Sequence, residues 1–132
     1  MSQMQAPGKC GADFRLGPFT EKDFDRLLRW IDSRELMVQW AGPMLFHYPL
    51  DRLQLRRYLR SGAGMEPAAM IFTAADPQGA GVGHIELGAI NRENGTASVC
   101  RVFVGPEHRE RGIARFMVRS VLAIGFTELR LP

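Results

Sequence analysis

The stretch that decides the fold is Val102-Phe103-Val104-Gly105-Pro106-Glu107-His108-Arg109-Glu110-Arg111-Gly112-Ile113-Ala114. Apolar strand formers run into Gly105-Pro106. The chain then resumes as a helix from about Arg111 to Ile124, with Ile113, Phe116, Met117, Val121 and Ile124 available for one buried stripe. A helix N-terminus presents backbone N–H groups without intrahelical partners together with partial positive charge, a combination that binds phosphate oxygens. Gly112 and the small Ala114 let a phosphate approach the backbone, and Arg109, Arg111 and Arg115 supply charge-assisted contacts. The plainer alternative is an ordinary helix with a solvated basic first turn. That alternative is uncomfortable, because basic residues there oppose the helix dipole unless an anion is present.

Working outward, the order of elements is strand, helices, three antiparallel strands, helix. A short first strand spans Phe14–Phe19, and Thr20 with Asp23 forms a variant capping box ahead of a helix whose Phe24, Leu27, Leu28 and Ile31 share a face. Ser33 caps a second helix, Arg34–Trp40, ended by Gly42-Pro43, and a third stretch from Asp51 to Leu59 carries Leu53, Leu55 and Tyr58. Strands follow at Ala68–Ala75, Val82–Ile90 and Thr96–Val104; the turn formers of Asp76–Gly81 and Asn91–Gly95 join them as hairpins. This is an α+β pattern with a mainly antiparallel sheet flanked by helices. It excludes a dinucleotide-binding parallel sheet, and the absence of Lys-Ser or Lys-Thr after Gly112 excludes a nucleoside-triphosphatase loop.

Arg109, Gly112 and Ala114, placed after the fourth predicted strand, resemble the acetyl-CoA signature of the GNAT superfamily of N-acetyltransferases: Gln or Arg, two residues, Gly, one residue, then Gly or Ala. The resemblance runs from about Phe14 to the end. It implies a GNAT acyl-CoA N-acyltransferase fold at residues 14–132 behind a flexible leader at 1–13. It also implies acetyl-CoA as donor, held by Val102, Phe103 and Val104 along the strand and by Arg109, Arg111, Gly112, Ile113, Ala114 and Arg115 at the turn. The implied reaction is direct transfer to an amine on a peptide N-terminus, a polyamine or a small molecule. The Trp40–Tyr48 loop and Gly83-His84-Ile85-Glu86-Leu87 look like the group related to enzymes that acetylate ribosomal-protein N-termini.

The amine must lose a proton before it attacks, which calls for a base or a water relay. Some GNAT members place a Glu near the start of strand four, where this chain has Ser98. Glu86 is the candidate catalytic residue instead. A hairpin with Ile90 opposite Thr96 sets Glu86 against Cys100, on one face with Ser98, where its carboxylate either relays a proton through water or lies on a solvated strand face. His84 shares that face as a second candidate base. GNAT members also use a Tyr after strand five to protonate the leaving thiolate, but the tyrosines here, Tyr48 and Tyr58, precede the signature. The sequence ends near Phe126–Pro132, where the link to strand five begins in the family. The expectation is therefore a domain lacking the C-terminal strands, with an open strand-four edge inviting a second copy or a strand-supplying partner. A catalytically impaired CoA-binding or protein-interaction module is the alternative function.

A chain of 132 residues, 45% hydrophobic and 23% charged, suits a single small domain rather than a disordered or membrane protein. With neither a secretory signal nor a membrane-length apolar run, a cytoplasmic location is expected. A net charge of +3 favours anionic ligands in general. No zinc-finger, basic-zipper or RNA-binding aromatic motif points to nucleic acid. Cys10 and Cys100 offer neither a disulfide framework nor a metal site.

Overall fold

The computed structural model describes Met4–Gln5 and residues 13–127. Cys10 and residues 128–132 of the C-terminal stretch discussed above lie outside them. One antiparallel five-stranded sheet has the order β1 (Met4–Gln5), β2 (Arg15–Pro18), β3 (Met70–Ala75), β4 (Gly81–Asn91), β5 (Thr96–Val104). The last has the bounds expected from sequence. β1 is the addition: two residues are too few to show a period, so the sequence reading assigns no strand before Phe14.

Helices α1 (Phe24–Trp30), α2 (Arg34–Ala41) and α3 (Arg52–Arg60) lie between β2 and β3 in the chain, and α4 (Ile113–Thr127) follows β5. α2 and α3 each start where a side chain takes up an orphan N–H group, and a capped 3-10 turn leads into α1. Ahead of α1, the backbone N–H of Thr20 donates to the Asp23 carboxylate at 2.9 Å, completing the expected capping box before one 3-10 turn. Ser33 Oγ accepts from Leu36 N at 3.1 Å, and Asp51 Oδ1 from Gln54 N at 2.9 Å.

The sheet is covered on both faces. On one, α1–α3 bury Phe24, Leu27, Trp30, Met37, Trp40, Leu55 and Tyr58 against Ile71 and Phe103. On the other, α4 sets Ile113, Phe116, Met117, Val121 and Ile124 on Phe14, Val82, Ile85 and Leu87. Each large apolar side chain so removed from water contributes about 1.5–3 kcal/mol before the entropy of ordering it. On α3, Leu53 is exposed, because residues two apart do not share a helix face and Leu55 takes the core position.

The β4–β5 register sets up the site. Glu86 pairs with Cys100, as the hairpin reading requires, although Asn91 rather than Ile90 faces Thr96. The discrepancy is absorbed between Gly88 and Asn91, where Ala89 takes a left-handed φ of 48°. A second irregularity lies between His84 and Glu86: two residues of β4 span Phe103 to Cys100 on β5, and Arg101 sits at φ 50°. This bulge lets both Cys100 and Phe103 face the α1–α3 layer. The Trp40 indole N–H donates to the Arg101 carbonyl at 3.1 Å and so ties α2 to the bulge.

Candidate functional site

From the bulge onward β5 is the last strand of the sheet, and its end runs into a groove of about 860 Å³ beside the start of α4. All nine residues that the resemblance assigns to the cofactor line it: Val102, Phe103, Val104, Arg109, Arg111, Gly112, Ile113, Ala114 and Arg115. The turn is shaped for an anion. Gly112 adopts φ 77°, a conformation strained for any residue with a Cβ, and from there the N–H groups at the start of the fifteen-residue α4 emerge without intrahelical acceptors.

The arginines are held by contacts that leave their charge unspent. Arg109 Nε donates to the Val104 carbonyl at 3.2 Å, and its guanidinium lies 5.4 Å from the centre of the Phe103 ring. Arg111 bonds His108 Nδ1 at 3.1 Å and lies over Phe14 at 5.6 Å. Among the described residues no carboxylate pairs with Arg109, Arg111 or Arg115. Positive side chains gathered at the positive end of a helix repel one another and the dipole. An anion relieves both.

His108, Glu110 and Arg119 also line the groove and were missed. Arg119 was findable, since it lies one turn beyond Arg115 on the same helix face. Glu110, at φ 65°, carries no such signal.

Glu86 lies elsewhere, beneath α3 rather than on a solvated strand face: the residue is 5% exposed. The Tyr58 hydroxyl donates to Oε1 at 2.8 Å, and Arg101 Nη1 lies 3.3 Å from the same oxygen and 3.1 Å from Cys100 Sγ. A phenol has one proton, so with it given to Glu86 the Tyr58 oxygen accepts from His84 Nε2 at 2.9 Å, fixing the imidazole as its Nε2–H tautomer. Oε2 lies over the Cα of Gly88 and near the Cys100 thiol: a Cβ at Gly88 would come within 2.7 Å of Oε2 and 3.1 Å of Sγ. The solvated-face alternative is thereby removed.

His84 is no base. It is 2% exposed, boxed by Phe19 and Trp40, and burial drives its pKa down to about 3, with nearby Asp23 pulling weakly the other way. Burial, reinforced by Glu86, raises Tyr58 well above its ordinary 10 and also raises Cys100, so Cys100 is a thiol rather than a nucleophilic thiolate. Tyr48 donates to the Asp32 carbonyl at 2.8 Å. Neither tyrosine hydroxyl is free to serve a leaving thiolate. No group of three or more metal-ligating side chains occurs among the described residues, and no helix there is long and apolar enough to cross a membrane.

Comparisons with known proteins place the chain as a whole. Residues 13–132 match the family model described as the acetyltransferase (GNAT) domain. The spermidine N-acetyltransferase of Vibrio cholerae, in complex with CoA and spermine, superposes with a TM-score of 0.70 at 24% identity, over 89% of this chain and 66% of that one. A chimera of the Vibrio cholerae enzyme and hSSAT gives 0.68 at 21%, with the same two coverages. The present chain thus spans just under two thirds of those structures, and at these identities the likeness is one of fold. Together with the family match across both layers and the groove, it establishes that the chain belongs to the acetyltransferase (GNAT) domain family.

Proposed function

We propose that this chain binds acetyl-CoA in the β5–α4 groove and transfers the acetyl group to an amine. The observation that carries the reading is the set of arginines without carboxylate partners around the N–H groups after Gly112, a donor set that suits a pyrophosphate. Bound there, acetyl-CoA supplies an activated thioester. The backbone of Val102, Phe103 and Val104 would hold the pantetheine arm, and Arg109, Arg111 and Arg115 would hold the phosphates.

Glu86 is the proposed base. Its Oε1 is anchored by Tyr58 and Arg101, which leaves Oε2 to receive the proton of the attacking ammonium through a water. Arg101 Nε is buried and unpartnered among the described residues, and a bridging water would satisfy it. The proton lost by the amine leaves through that water to solvent, and CoA departs as a thiolate protonated from solvent. Polyamines, by analogy with the Vibrio cholerae enzyme, and peptide N-termini, from the subgroup resemblance, are the two acceptor classes to compare.

The second reading, a CoA-binding module without turnover, draws on the two tyrosine hydroxyls, which are both engaged within the protein. Under either reading, β5 closes the described sheet beside exposed Leu122 and Phe126, and this edge is the proposed surface for a second copy or a strand-supplying partner. Calorimetric titration with acetyl-CoA, followed by thiol release against a panel of amines, tests the assignment. Saturable binding with turnover supports the transferase, binding alone supports the module, and no binding removes both.

A further inference from the structure

Helix α3 carries four arginines, Arg52, Arg56, Arg57 and Arg60, and they have different fates. Arg52 pairs with Asp25 at 2.7 Å and Arg56 with Glu21 at 3.6 Å, whereas Arg57 has no carboxylate partner among the described residues. Arg57 instead lines a cavity of about 260 Å³ between α3 and the loop after α2, with Leu45 and Phe46 as apolar walls and Tyr58 at its side. That Tyr58 is the residue whose hydroxyl reaches Glu86. The cavity therefore lies one tyrosine ring from the proposed base, on the face away from α4.

The other polar groups around the cavity are largely committed. Gln54 accepts from His47 N at 2.7 Å and donates to the His47 and Pro49 carbonyls at 3.1 Å each, fixing the loop wall. Ser61 Oγ donates to the Tyr58 carbonyl at 2.6 Å. No carboxylate lines the cavity. Its one permanent charge is the Arg57 guanidinium, a planar donor suited to a carboxylate and repelled by an ammonium.

We infer that this cavity selects an acceptor carrying a carboxylate near its amine, with Arg57 as the specificity-determining residue, and that it disfavours polyamines. The inference rests on the transferase reading for its meaning but not for its test. A polycation such as spermidine would place a charge against Arg57 with no acid to offset it; an amine attached to a carboxylate would leave the anion on Arg57 and direct the amine past Tyr58 toward Glu86.

Calorimetry of the full chain with saturating CoA would compare glycyl-glutamate, the carboxylate-free glycyl-glutaminamide, and spermidine. Glycyl-glutamate is expected to bind about threefold to fivefold more tightly than either, as for one charge-assisted pair at a solvent-exposed arginine. Arg57→Gln should erase that ratio without changing acetyl-CoA affinity, and Arg57→Lys should keep part of it. Spermidine or the diamide binding as well as glycyl-glutamate, no measurable glycyl-glutamate binding at millimolar concentration, or an unchanged ratio in Arg57→Gln would each overturn the proposal. Failure of acetyl-CoA itself to bind would remove the transferase reading, and the same ratio measured without cofactor would still decide what the cavity takes.

Discussion

The groove after β5 and the polar cluster beneath α3 solve opposite problems. In the groove, positive charge is left open to solvent and without carboxylate partners among the described residues, on a short contiguous stretch of chain whose backbone N–H groups open toward it. In the cluster, Tyr58, His84, Glu86 and Arg101 come from three elements, and their polar atoms are satisfied mainly by one another. The contrast separates the two roles proposed above: the site proposed for binding is built from backbone geometry and excess charge, the site proposed for proton handling from enclosure.

If that separation holds, substitutions in the two regions should move different quantities. The largest effect is expected from Gly112→Glu, which puts a Cβ on a left-handed residue and a negative charge where the phosphates sit. Acetyl-CoA affinity should fall at least about a hundredfold, while the strained Cβ lowers the melting temperature by only roughly 5 °C. Unaltered affinity by calorimetry would break the assignment of the groove. Next is Glu86→Gln, expected to lower kcat about ten- to a hundredfold while the dissociation constant of acetyl-CoA stays within about twofold. A parallel loss of affinity would show that the two regions are not separable.

His84 gives a pH-dependent version of the same comparison. Its folded pKa of about 3 lies below the unfolded value of 6.5, so the unfolded chain binds the extra proton first and stability falls as pH drops from about 6.5 toward 3. The loss at the bottom of this window is on the order of 4–5 kcal/mol. His84→Gln, which retains a donor for Tyr58, should flatten it in denaturant titrations at pH 4 and pH 7, leaving acetyl-CoA affinity at pH 7 as it was. An equally steep acid loss in the variant would mean that His84 is not the titrating group. The smallest effect is expected from Gly88→Ala, whose methyl would meet Oε2 of Glu86 and force the carboxylate aside. A severalfold drop in kcat without a change in cofactor affinity is predicted, and an unchanged kcat would take Oε2 out of the proton path.

The same two regions explain what could be read from the amino-acid sequence. Arg109, Gly112 and Ala114 lie within six consecutive positions, so strand, turn and helix could be inferred from local propensity, and the groove followed. The Glu86–Cys100 pairing was also legible, because hairpin closure propagates a register. It survived the misplaced hairpin end only because the bulge at Ala89 restored the count. Tyr58 could not be joined to Glu86 beforehand: nothing local ties residues that far apart, and a tyrosine on an amphipathic helix reads as core. The bulge at Arg101 was equally hidden, since a left-handed arginine has no compositional mark. Burial of Glu86 followed from both, and its solvated alternative stood until α3 was seen to cover it.

The chain has two tryptophans, and both report on β5. Trp40 binds the Arg101 carbonyl through its indole N–H, and Trp30 stacks on Phe103 with ring centres 5.8 Å apart, so they bracket Val102 from the protected side of the strand. The molecule therefore carries its own optical gauge of that strand. A ligand that straightens or shifts the bulge will alter the indole hydrogen bond and the stacked ring, and with them the emission of the unlabelled protein, while a ligand confined to the helix terminus will leave it largely dark.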